Sequence, residues 1–149
     1  MTARQFAIFE IYFHLGEAAL SEVRRVAFGA YDWTQGNALE ILCRFAASGL
    51  ERDAILKEIR EESPNFREEA TIYAMGPLMA EKEYTPALEE IIVFLRDEAG
   101  FDWAYEEVMA QQVRAAAPKP PKQATQAPMA SGPTAVSVGG RSKPWWKFW

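Results

Sequence analysis

Glu10 and His14 lie four residues apart. On a helix that spacing puts them on one face, where a carboxylate and an imidazole can hold a metal ion or pass a proton. His14 is the only histidine among the 149 residues. No second imidazole can complete a multi-histidine centre, so a hydrogen-bonded histidine at a helix end is the expected role. Four acidic doublets, Glu61-Glu62, Glu68-Glu69, Glu89-Glu90 and Glu106-Glu107, are the next candidates. Neighbours on a helix point about 100° apart. Acid–base work or divalent-metal binding would therefore need several doublets to converge across helices. Solvated outer faces beside bases such as Arg60 and Arg67 are the expected arrangement.

Cys43 sits among Leu39, Leu42, Phe45 and Ala46, the surroundings of a buried, inert thiol. One cysteine permits no internal disulfide and no cysteine-based zinc site, and it suits a reducing cytoplasm. The chain has no P-loop, no G-x-G-x-x-G and no nucleophile elbow. No catalytic residue, metal or cofactor is therefore expected, and a non-enzymatic protein is the favoured reading. An enzyme subunit using clustered glutamates is the alternative from another class.

Recognition chemistry is better represented. Tyr31-Asp32-Trp33 places two aromatics at an inter-helix turn, with Arg24, Arg25 and Arg44 as candidate cationic neighbours. Such rings either line a binding surface or lock two helices together; packing is favoured, and Trp103 invites the same choice. The segment Arg141-Ser142-Lys143-Pro144-Trp145-Trp146-Lys147-Phe148-Trp149 holds three of the five tryptophans. Its neighbours toward residue 115 are rich in Ala, Pro, Gln, Ser, Thr and Gly, so no core of its own can cover them. Trp145, Trp146, Phe148 and Trp149 would anchor in a hydrophobic groove on another protein while Arg141, Lys143 and Lys147 meet an acidic rim. An anionic membrane surface, which takes tryptophan at headgroup depth and attracts cations, is the alternative partner. The protein's own acidic body, or a neighbouring copy's, is a third.

Charge divides the chain in the same place. Residues 1–114 carry all 21 acidic residues against 11 basic ones, a net of −10, whereas residues 115–149 carry five bases and no acid. An acidic body repels phosphate, so nucleic acid is an unlikely partner for it. No run of about 18 apolar residues is present, so no membrane span is expected. Glu10 breaks the apolar N-terminal run, which reads as a helix rather than a leader. A cytoplasmic protein, peripheral to a membrane if the aromatic segment reads lipid, follows.

Helical periodicity runs through residues 1–114 and strand alternation is absent. The spacing predicts helices over about 4–14, 17–28, 35–48, 51–62, 66–75, from Pro86 to Gly100, and 103–115. The first is apolar almost all round, so burial on more than one side, or packing at the end of a stack, is expected. Thr34, Asn65, Thr85 and Asp102 are the predicted N-caps. Gly76-Pro77 should interrupt or kink the fifth helix. Short links imply antiparallel neighbours packed in chain order. The domains expected are a helical body over 1–114, a disordered Pro/Ala-rich linker over 115–140 and a docking motif over 141–149.

Leu15-Gly16-Glu17-Ala18-Ala19-Leu20-Ser21-Glu22-Val23-Arg24-Arg25-Val26-Ala27-Phe28-Gly29, followed by Asp32-Trp33 and Ala38-Leu39-Glu40-Ile41-Leu42, resembles a HEAT-type repeat across residues 15–62. Arg67-Glu68-Glu69-Ala70 looks like part of a second, weaker copy. The resemblance implies an all-α protein of about seven helices in a short stack of antiparallel hairpins, which in that family binds partners rather than catalyses. An irregular compact helical bundle is the alternative. An adaptor follows from either: the body engages one protein and the tail recruits a second.

Overall fold

Apolar residues recurring every three or four positions drive one helix after another. The computed structural model describes residues 3–81 and 85–117, with side chains from residue 7 onward. Seven α-helices fill this region: α1 (Ala3–Leu15), α2 (Glu17–Ala27), α3 (Gln35–Ala47), α4 (Arg52–Glu62), α5 (Glu68–Ala80), α6 (Pro86–Asp97) and α7 (Asp102–Ala116). A 3-10 turn, Ser63–Asn65, separates α4 from α5. The protein is all-α, with no strand among the described residues.

The core is organised around α3. Its run Ala38-Leu39-Glu40-Ile41-Leu42-Cys43 has small or apolar side chains on nearly every side, so it is buried all round rather than along one stripe. α1, α2, α4, α5 and α6 all pack against it. Leu39, Ile41, Leu42 and Phe45 are fully enclosed, each contributing about 1.5–3 kcal/mol from burial. α5 and α7 add Ala70, Ala74, Met75, Leu78, Ala104 and Val108. α4 and α5, although consecutive, pack on α3 and not on each other. The expectation of neighbours packed strictly in order fails at this pair, because the broad apolar surface of α3 accepts both.

The outer helices are tied by ion pairs. Arg24 of α2 reaches Glu51 and Glu58, each at 2.8 Å. Arg52 and Arg60 of α4 meet Glu90 and Glu98 of α6. Each pair of partners is spaced by eight residues, so α4 and α6 run side by side in the same direction.

Several boundaries differ from expectation. Gly76-Pro77 does not end α5, which continues to Ala80. Glycine before the proline has no Cβ to clash with the ring. Burial of Met75 and Leu78 against the core also favours continuing the helix. Asn65 closes the 3-10 turn instead of capping α5, and its side chain donates to Glu62. Asp102 is the first residue inside α7, with Phe101 in the capping position. Thr85 caps α6 as expected, its hydroxyl accepting from the Leu88 amide at 3.2 Å. Among the described helices α1 packs only on α2 and α3, and it leaves Ile8, Ile11 and Leu15 about half exposed. α7 extends to Ala116, so residues 115 and 116 belong to the body rather than to the expected linker. Residues 118–140 of that linker, and the 141–149 motif, lie outside the described residues. No described helix is long and apolar enough to cross a membrane.

Candidate protein-docking surface

α2 ends at Ala27 and the chain turns through Phe28–Thr34 before α3 begins. Gly29 is required there, since a Cβ would lie 2.6 Å from the Arg25 carbonyl oxygen. The buried Gln35 side chain donates from Nε2 to the carbonyls of Ala27 at 3.1 Å and Gly29 at 3.3 Å, tying the end of α2 to the start of α3. Its Oε1 is enclosed without a partner, a cost of about 1–3 kcal/mol that the surrounding packing must offset. Asp32 Oδ1 accepts from both the amide (2.6 Å) and the hydroxyl (2.5 Å) of Thr34. The aspartate, not the threonine, is thus the acceptor in this turn.

These restraints present the two aromatics differently. Tyr31 is partly buried against the core and Trp33 is 56% exposed. Their ring centroids are 6.5 Å apart and the planes are inclined by 54°. The Tyr31 ring also carries the Arg67 guanidinium, 4.5 Å from its centroid. Packing therefore describes Tyr31, whereas more than half of Trp33 is exposed. Trp103, at the start of α7, is exposed as well.

The cationic neighbours are not those expected. Arg24 is engaged by Glu51 and Glu58, Arg25 by Glu22, and Arg44 by Glu10 and Glu40. Arg67 takes the place beside Tyr31, and sequence gave no spacing rule that could have singled it out. Glu68 and Glu69 follow Arg67 in the exposed first turn of α5. Burial first, and then the Glu69 charge, raise the Tyr31 phenol; burial, Tyr31 and Glu69 do the same to Tyr73. Both phenols therefore keep their protons at neutral pH. The surface is aromatic and net acidic, suited to contact rather than to bond making.

The chemical candidates are placed elsewhere. Glu10 turns to Arg44 at 2.7 Å, and His14 lies against the Phe13 ring. Burial pushes the Cys43 thiol up, so its thiolate is not accessible. Glu61 meets Lys57, Glu90 meets Arg52, and Glu107 meets Gln111 and Arg114. No group of three or more metal-ligating side chains assembles among the described residues.

Sequence reasoning missed Glu40. It is 8% exposed, with Arg44 Nη1 at 3.7 Å. Burial pushes its carboxyl up to about 7, against the pull of Arg44 and with the help of the Glu10 and Glu81 charges. A lone carboxylate inside the apolar run of α3 was the available signal. No family model matches the chain, and neither a curated protein nor a solved structure matches it.

Proposed function

We propose that this protein is a non-enzymatic adaptor. Its helical body engages one protein through the face that carries Tyr31 and Trp33. The segment Arg141, Lys143, Pro144, Trp145, Trp146, Lys147, Phe148, Trp149 docks to a second protein. The observation that carries the reading is Trp33: a large aromatic left more than half exposed at a well-restrained turn, on a net-acidic surface. Aromatic anchors of this kind dominate binding energy when a partner covers them. The HEAT-like resemblance supports the same reading, because such stacks present surfaces to partners. The cytoplasm is the proposed compartment, in keeping with the single, buried cysteine. Tethering two partners raises their effective concentration without new catalytic chemistry.

The test is affinity capture from native lysate with three chains: full length, one ending at Gly140, and full-length Trp33→Ala. One protein should be lost on truncation and a different one on Trp33→Ala. Equal capture by all three would sink the adaptor reading. Liposome flotation of the full chain and the shortened one separates protein docking from membrane association. Lipid binding tolerates a shuffled order of residues 141–149 and weakens with salt, whereas groove recognition fails when the order changes.

A further inference from the structure

α1 is apolar almost all round, the pattern of a helix covered on more than one side. Its inner side is covered: Phe9 is buried, Phe13 stacks on Phe45 with centroids 5.7 Å apart, and Tyr12 packs against the core. Its outer side is not. Ile8, Ile11 and Leu15 are 48%, 56% and 54% exposed, and with Ala7 and His14 they form one stripe at helical spacing. Among the described side chains of α1, this stripe holds no carboxylate, lysine or arginine.

We propose that this stripe is a dimer interface, on which α1 of a second copy of the chain lies antiparallel about a two-fold axis beside Ile11. Charge selects the occupant. Residues 1–114 carry a net −10, so two copies repel wherever their carboxylates face each other. The outer stripe of α1 lets them meet without opposing acids. A basic protein would find no carboxylates on it, and an anionic membrane no lysine or arginine. Spacing gives the pairing. Ile8 lies three residues before Ile11 and Leu15 four after it. Reversing the helix therefore sets Ile8 on the second copy's Leu15 and each Ile11 against the other. Glu10 and His14 share one flank, and the same reversal brings each His14 within one residue's rise of the second copy's Glu10. An imidazole N–H can donate to a carboxylate in either protonation state. The Glu10 side chain is 46% exposed beside its bond to Arg44, which leaves room to accept it. Three large side chains from each copy make a small interface, so the dimer is a weak one. The inference rests on neither Tyr31 and Trp33 nor residues 141–149.

Sedimentation of the full chain over a micromolar-to-millimolar series should show its mass rising towards the dimer. Ile11→Glu sets two carboxylates against each other at the axis and should weaken association by about tenfold or more. Ile11 is more than half exposed, so the variant should keep the helical circular dichroism of the parent. Cross-linking reads the same contact directly. Ile11→Cys, oxidised with copper–phenanthroline, should form a disulfide-linked dimer faster than Lys57→Cys, at an exposed position on α4. The native Cys43 is buried and should not compete. A chain that stays monomeric throughout, association that Ile11→Glu leaves intact, or equal cross-linking at the two positions would each overturn the inference. So would a monomeric chain that floats with phosphatidylserine vesicles unless it carries Ile11→Glu, a result that assigns the stripe to lipid.

Discussion

Gly36 of α3 crosses Tyr73 of α5 so closely that a Cβ on Gly36 would lie 2.4 Å from the Tyr73 Cβ and 2.7 Å from the Ala70 carbonyl oxygen. Neither obstacle is the far end of a flexible side chain. Gly36→Ala must therefore push the two helices apart, at a cost of about 1–3 kcal/mol. Urea denaturation measures it. Unchanged stability would mean that the α3–α5 crossing is looser than the distance implies.

Glu40→Gln removes a buried carboxyl whose folded pKa, about 7, stands above its ordinary 4.5. The raised value means that the folded state binds the proton more tightly than the unfolded chain. The native protein should therefore lose stability as pH rises from about 4.5 to about 7 and level off above. The difference corresponds to about 3 kcal/mol. Glu40→Gln should flatten this profile and be the more stable form at pH 8. Denaturation midpoints at a series of pH values decide it; parallel profiles for the two proteins would refute the assignment.

Pro77 lies inside α5 and has no amide hydrogen to donate to the Tyr73 carbonyl one turn earlier. Pro77→Ala restores that donor and should stabilise the protein, by up to about 3 kcal/mol. A rise in melting temperature is the expected reading. A fall would show that packing of the proline ring outweighs the missing hydrogen bond.

Gln35→Ala removes both side-chain hydrogen bonds that close the α2–α3 turn. It also removes the enclosed oxygen that lacks a partner. The lost bonds cost about 0.5–1.5 kcal/mol each, partly offset by removal of that unsatisfied oxygen. A net destabilisation of about 1 kcal/mol by chemical denaturation is expected. The variant should also loosen the presentation of Trp33 and weaken partner capture; full capture would separate the turn's stability from its binding role.

The amino-acid sequence by itself determined the all-α class, seven helices and most of their limits. Those follow from local causes: apolar spacing, Ser63-Pro64 after α4, and Thr85-Pro86 at the start of α6. It also marked Tyr31 and Trp33 as a pair to examine, because aromatics in a turn are visible without knowing the neighbours. Tertiary structure decided everything that depends on residues distant in the chain. Arg67 approaches Tyr31 across 36 positions and Arg44 approaches Glu10 across 34, separations for which no periodicity exists. The opposite characters of Tyr31 and Trp33, two residues apart, were likewise settled by tertiary packing, which sets Tyr31 against the core and Arg67 over its ring. Pro77 remained helical because buried neighbours on α5 outweighed a local breaker. Glu40 acquired its raised pKa only when the packed helices buried it and brought the Glu10 and Glu81 charges near. Local rules act through adjacent atoms and are legible in one dimension, whereas burial and charge pairing exist only once the helices have met.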